Sequence, residues 1–124
     1  MAVLIAAVML VTQAIDATPA DQVEDAVPEV AAPLTPKAYL YETYPVLARR
    51  LDCMIRGESS WLPWASGAGG RYIGLAQFDL PTWYSTPQGA AGASRYDPYA
   101  SIDAMAWGVR NLGYARWPVT SRRC

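Results

Sequence analysis

Glu58 and Gln77 are the residues of this chain whose types and spacing could do chemistry. Glu58-Ser59 closes a stretch of helical periodicity. The run Gly74-Leu75-Ala76-Gln77-Phe78 follows across a glycine-rich turn segment, Gly67 to Gly74. A carboxylic acid at the apolar end of a helix, facing a short hairpin and an amide, has the parts for general-acid cleavage of a glycosidic bond. Leu47, Leu51, Met54, Ile55 and Glu58 fall at i, i+4, i+7, i+8 and i+11, one face of a helix. A carboxyl drawn onto that apolar stripe is expected to be partly desolvated. Desolvation raises its pKa and suits it to donate a proton near neutrality. Gly57, just before it, leaves space for something to approach the backbone. Most glutamates are simply solvated, so the reading rests on the stripe and the downstream run together.

The elements that must position these groups can be read in outline. The first helix is expected to start near Thr43 or Tyr44, with Pro45 in its first turn. Trp61, Trp64 and Tyr72 flank Ser66-Gly67-Ala68-Gly69-Gly70, a turn between two short strand-like pieces. Leu75 to Phe78 leads into a helix capped by Asp79, with Pro81 in its first turn, and Ser85 to Ser94 reads as a loop. Asp97-Pro98 opens a further helix carrying Ile102, Met105, Ala106, Val109 and Leu112, with Gly113 as its C-cap. Trp83 and Trp107 are assigned to the core. The expected fold class is α+β, mainly α: about three helices with one short hairpin, preceded by a disordered N-terminal extension.

Composition divides the chain in three. Residues 1–17 form an apolar segment resembling a signal peptide, with Ala14 and Ala17, and Ala20 just beyond, near possible cleavage points and no Lys or Arg before the apolar run. That run is too short for a comfortable membrane span of about 20 residues. Residues 18–36 are a Pro/Ala/acidic linker. Residues 37–124 hold all five Trp, all eight Tyr and both cysteines. The formal charge of −1 is unevenly spread, because Asp16, Asp21, Glu24, Asp25 and Glu29 precede every basic residue. The domain keeps 10 basic residues against Glu42, Asp52, Glu58, Asp79, Asp97 and Asp103, which favours an anionic partner. No Lys/Arg run interleaved with aromatics is present, which argues against nucleic acid. Cys53 and Cys124 suit an exported chain and a disulfide enclosing about 70 residues, the alternative being two unpaired thiols. With no His and no C-x-x-C spacing, a metal site is not expected.

From about Val46 to Cys124, Glu58-Ser59, Gly74-Leu75-Ala76-Gln77-Phe78 and Pro81-Thr82-Trp83 resemble the lysozyme-like transglycosylase family, nearest to its small secreted members and the catalytic domain of resuscitation-promoting factors. The resemblance implies a lysozyme-like fold that cleaves the β-1,4 bond between N-acetylmuramic acid and N-acetylglucosamine in peptidoglycan. Glu58 would be the general acid and then base. Ser59 would orient its carboxyl, Gln77 would contact the sugar, and Trp64 and Tyr72 would stack on the glycan. Asp52 points to another helix face, and Asp79 and Asp97 are better explained as helix caps, so no strong second acid is visible. The family offers a route that needs none, in which the sugar's own 6-hydroxyl attacks to leave a 1,6-anhydro-muramoyl end; attack by water stays open. Two departures stand out: Met105 to Asn111 lacks the tyrosine of the larger lytic transglycosylases, and Cys53 lies five residues before Glu58 rather than immediately before it. The expectation is a secreted, wall-localised monomer needing no cofactor. The alternatives are a non-catalytic glycan-binding module of an envelope or phage virion, and a disulfide-stapled interaction domain.

Overall fold

Prolines set the beginnings of this structure. The computed structural model describes residues 32–124, so the apolar segment and the linker up to residue 31 lie outside the described residues. Among the described residues, five of the six α-helices carry Pro in the first turn, where a missing N–H removes no helical bond. The helices are α1 (Pro36–Thr43), α2 (Ala48–Ser59), α3 (Leu80–Ser85), α4 (Pro87–Ala90), α5 (Pro98–Asn111) and α6 (Pro118–Arg123). Between α2 and α3 lies a hairpin of β1 (Ser66–Gly67) and β2 (Tyr72–Ile73), and a 3₁₀ turn, Tyr114–Arg116, precedes α6. The described chain is thus mainly helical with one small antiparallel hairpin, as the sequence pattern implies. No helix among the described residues is long and apolar enough to cross a membrane.

Helix α1 was not expected. It begins where composition placed the linker, with the Thr35 hydroxyl capping the N–H of Ala38 at 3.2 Å. It buries only Leu40. Polar bonds anchor it instead: the Tyr39 and Tyr44 hydroxyls both donate to Asp103 Oδ1, at 2.7 and 2.6 Å. Helix α2 then starts at Ala48, later than Thr43–Tyr44. The Tyr44 N–H turns back to Leu40 O and closes α1, which leaves Pro45 in a turn, and the Leu51 N–H bond to Leu47 O is the first of the new helix. Of the expected stripe, Leu51, Met54 and Ile55 are buried and Leu47 and Glu58 are half-buried; Ala48, Asp52 and Ser59 are buried as well.

The hairpin pairs Ser66 with Ile73 and Gly67 with Tyr72. Ile73 also bridges to Phe78, closing a tight turn over Leu75, Ala76 and Gln77. Gly74 in that turn has φ +88°, and a Cβ there would sit 2.1 Å from the Arg95 carbonyl oxygen, so only glycine fits. Asp79 caps α3 through the Thr82 N–H at 3.0 Å. Asp97 caps α5 through the N–H groups of Tyr99 and Ala100. The expected loop at Ser85–Ser94 contains α4, which Thr86 caps at the Gly89 N–H.

The core joins α2 to Ile102, Ala104, Met105, Ala106 and Val109 of α5, with Leu75, Ala76, Phe78, Trp83 and Trp117. Trp83 is buried as expected. Trp107 is only half-buried, and Trp117 takes the core position instead. The Trp117 indole N–H donates to Ala76 O at 2.8 Å, and its ring packs edge-on to Phe78 with centroids 5.6 Å apart. Helix α6 lies against α2 and is held there by the Cys53–Cys124 disulfide. Arg50 adds a bond to Ser121 O at 3.2 Å.

The disulfide joins residues 71 apart in sequence. Chain entropy then accounts for up to about 4 kcal/mol, less any native strain. Cys124→Ser is expected to lower unfolding free energy by about 2–4 kcal/mol in urea titrations, with the helical circular-dichroism signal retained in water.

Candidate functional site

Glu58 sits in the last turn of α2, half-buried. Burial raises its pKa above the usual carboxylate value. The Thr120 hydroxyl, donating to Oε1 at 3.1 Å, opposes that shift. The ion pairs among the described residues are Lys37–Asp52, Arg56–Asp52 and Arg71–Asp79, and none includes Glu58. A carboxyl desolvated without a cation keeps its proton to higher pH. That is the condition a general acid needs.

Gly57 is what lets Thr120 in. A Cβ at position 57 would lie 2.8 Å from Thr120 Cγ2, so the absent side chain is the gap into which α6 settles. The space foreseen beside the acid is filled by the protein itself. It brings the hydroxyl that grips the carboxyl.

A hollow of about 200 Å³ opens in front of Glu58, and another of about 150 Å³ adjoins it. Tyr72, Gln77, Arg116 and Trp117 line both, so they form one groove. Glu58 and Pro118 complete one end; Phe78, Asp79 and Thr82 complete the other. The walls come from α2, from the hairpin and its turn, from the start of α3, and from the segment around the 3₁₀ turn Tyr114–Arg116. A third hollow, at Gly70, Arg71, Leu80, Pro81 and Arg95, shares Asp79 with the groove.

Of the residues singled out from sequence, the structure gathers Glu58, Tyr72 and Gln77 along this groove. Gln77 has φ +53°, and its amide nitrogen donates to Ala65 O and Gly74 O at 3.1 and 3.0 Å. It therefore ties the two sides of the hairpin together while facing the groove. A Cβ on Gly67 would come within 2.6 Å of its Oε1, so Gly67 is part of its seat. Ser59 is placed differently from the expectation: it is buried, and its hydroxyl donates to Ile55 O at 3.1 Å rather than to Glu58. Such back-bonding is the ordinary habit of a serine at a helix end. Trp64 is 68% exposed and lines neither hollow. Cys53 and Cys124 stand beside the groove's foundation, not in it. Among the described residues no group of three His, Cys, Asp or Glu could hold a metal ion.

Thr120 and Arg116 were missed. Both lie in a polar tail segment with no periodicity; the one hint was Gly57, which marks a close approach without naming what approaches.

Asp79 is a second carboxylate in the groove, but it is committed. Its pKa is lowered, chiefly by the hydrogen bond from Thr82; burial opposes this, and Arg71 and Arg116 assist. It stays ionised where Glu58 retains its proton, a division of environments that separates acid from anion within one groove. Backbone strain gathers nearby. Ser60, Trp61 and Gln77 all adopt left-handed φ without being glycine. Each such residue costs about 1–3 kcal/mol and persists only where its surroundings over-determine it. For Trp61 the determinant is its indole bond to Asp52 Oδ1 at 2.8 Å.

Comparison with protein-family models, curated proteins and solved structures gives no match to this chain.

Because the Thr120 hydroxyl favours the ionised form of Glu58, Thr120→Val is expected to raise the Glu58 pKa further, as followed by carboxyl NMR titration. Gly57→Ala is expected to displace Thr120 and move the same titration in the same direction, at a stability loss of about 1–3 kcal/mol from overpacking.

Proposed function

We propose that the domain cleaves the β-1,4 glycosidic bond between N-acetylmuramic acid and N-acetylglucosamine in peptidoglycan, with Glu58 as general acid and then general base. The observation that carries this is a half-buried carboxyl with raised pKa at the end of an open groove lined by tyrosine, tryptophan, glutamine and arginine. Aromatic faces suit the apolar faces of sugar rings, and half-buried Tyr72 is the groove aromatic with a face to offer, Trp117 being a core residue. The resemblance to the lysozyme-like transglycosylase family, read from Glu58-Ser59 and the Gly74–Phe78 run, points the same way.

In this reading Glu58 protonates the departing glycosidic oxygen. The resulting carboxylate, steadied by Thr120, then takes the proton of the attacking hydroxyl. Asp79 is held as a helix cap and paired to Arg71, which supports attack by the sugar's own 6-hydroxyl and an anhydro-muramoyl product over a two-carboxylate hydrolysis. The chemistry asks for no cofactor. The disulfide fits an oxidising compartment, and we place the domain outside the cytoplasm, acting as a monomer on wall strands. The alternative is a non-catalytic glycan-binding module. The exposed Trp64 outside the groove favours it, as a second platform on which a sugar face could rest.

Purified peptidoglycan incubated with the oxidised protein is expected to release muropeptides with anhydro-muramoyl ends, identified by mass spectrometry. Reducing muramic ends would instead establish hydrolysis. Glu58→Gln is expected to lower turnover at least about 10²-fold without loss of folding, and a fully active variant would end the proposal. The first step needs Glu58 protonated, so the rate should fall as pH rises through its elevated pKa. The pH–rate profile should therefore lose activity on its alkaline side.

A further inference from the structure

We propose that Arg116 reads a carboxylate carried by the glycan, so that the groove selects strands presenting an acid group beside the scissile bond. This rests on the reading of the groove as a glycan-cleaving site and names what that site discriminates.

Arg116 ends the 3₁₀ turn between α5 and α6 and is exposed. It lines both hollows, and it is the one Lys or Arg among their lining residues. Its place is set from either side. On one side the Arg50 guanidinium lies 3.6 Å from the centre of the Tyr114 ring. On the other, Trp117 is pinned by its bond to Ala76 O. Arg116 enters none of the ion pairs among the described residues, and its charge acts on Asp79 only from beyond ion-pair distance, helping to keep that carboxyl ionised. The nearby anion, Asp79, already accepts the Thr82 N–H at Oδ1 and faces Arg71 with Oδ2 at 3.9 Å. At the other end, Glu58 carries no charge in the form that begins the reaction.

A guanidinium has five donors and no acceptor. A neutral sugar gives it little to match, whereas a planar carboxylate takes two parallel N–H bonds from it. Muramic acid is the sugar of the strand that bears one. Its 3-lactyl group ends in a free carboxylate when no peptide is attached, and in an amide leading to the carboxylates of a stem peptide when one is. Either source presents the same chemistry to Arg116.

The test uses the full oxidised chain on peptide-bearing strands and on strands stripped of peptide by an amidase. Each substrate is taken as it is and after carbodiimide coupling to methylamine, which neutralises its carboxylates. Wild type is expected to lose about tenfold or more in kcat/KM on neutralisation of at least one substrate. Arg116→Gln is expected to cleave native and neutralised forms of that substrate at one common rate, with unchanged thermal melting. Sensitivity confined to stripped strands assigns the lactyl carboxylate; sensitivity confined to peptide-bearing strands assigns the stem peptide. Wild type indifferent to neutralisation, or Arg116→Gln still discriminating as wild type does, overturns the proposal. The same comparison made by co-sedimentation of Glu58→Gln with and without Arg116→Gln reads binding alone. If no cleavage is found, the cleavage reading falls and this binding experiment still decides the role of Arg116.

Discussion

The indole of Trp117 is the joint on which the rest of the structure depends. Its N–H satisfies the carbonyl of Ala76 inside the tight turn after β2. Its ring fills the space over Gly108, where a Cβ would come within 2.8 Å. Its edge meets Phe78, which in turn meets Trp83 at 5.2 Å. One side chain therefore binds the hairpin turn, α5, the N-terminal start of α3 and the segment leading to α6. A buried carbonyl left without a donor costs about 1–3 kcal/mol. Burying an indole's apolar body adds more than any smaller side chain could. Because the same residue lines the groove, the shape of the site is a property of the core rather than of loops laid over it.

Two carboxyls six residues apart on α2 show how environment divides one chemistry. Asp52 is 3% exposed, yet its pKa is lowered: burial works against ionisation, but donors from Tyr41 and Trp61 and the charge of Lys37 outweigh it. At Glu58 a single hydroxyl opposes desolvation, and desolvation prevails. Asp52 thereby becomes a structural anion that fastens α1 and the chain just beyond α2. Glu58 is left able to exchange a proton.

Much of the local structure was legible because local rules wrote it. The stripe of α2, the caps at Asp79 and Asp97 and the glycine-rich hairpin each follow from spacing and turn chemistry within a few residues. Helix α1 was not legible because a single buried leucine leaves no apolar period; tyrosine hydroxyls reaching Asp103 and Asp52 supply its anchorage. The half-burial of Trp107 has a similar reason. Membership of a helix made Trp107 look internal, but the side chains it lies among face outward. Trp117 is carried inward by the chain folding back after Gly113, which no periodicity records. For the groove, Glu58, Tyr72 and Gln77 could be picked by type and position. Thr120 and Arg116 could not, since their roles exist only through contact with parts of the chain far off in sequence.

That distance has a kinetic meaning. Glu58 and Thr120 are 62 residues apart, Trp117 and Ala76 are 41 apart, and Tyr39 and Asp103 are 64 apart. Helices and a two-residue-strand hairpin can fluctuate into being from neighbours alone, but contacts of this span must overcome loop-closure entropy before they return anything. The groove therefore depends on closing loops of this length, which the local helices and hairpin do not.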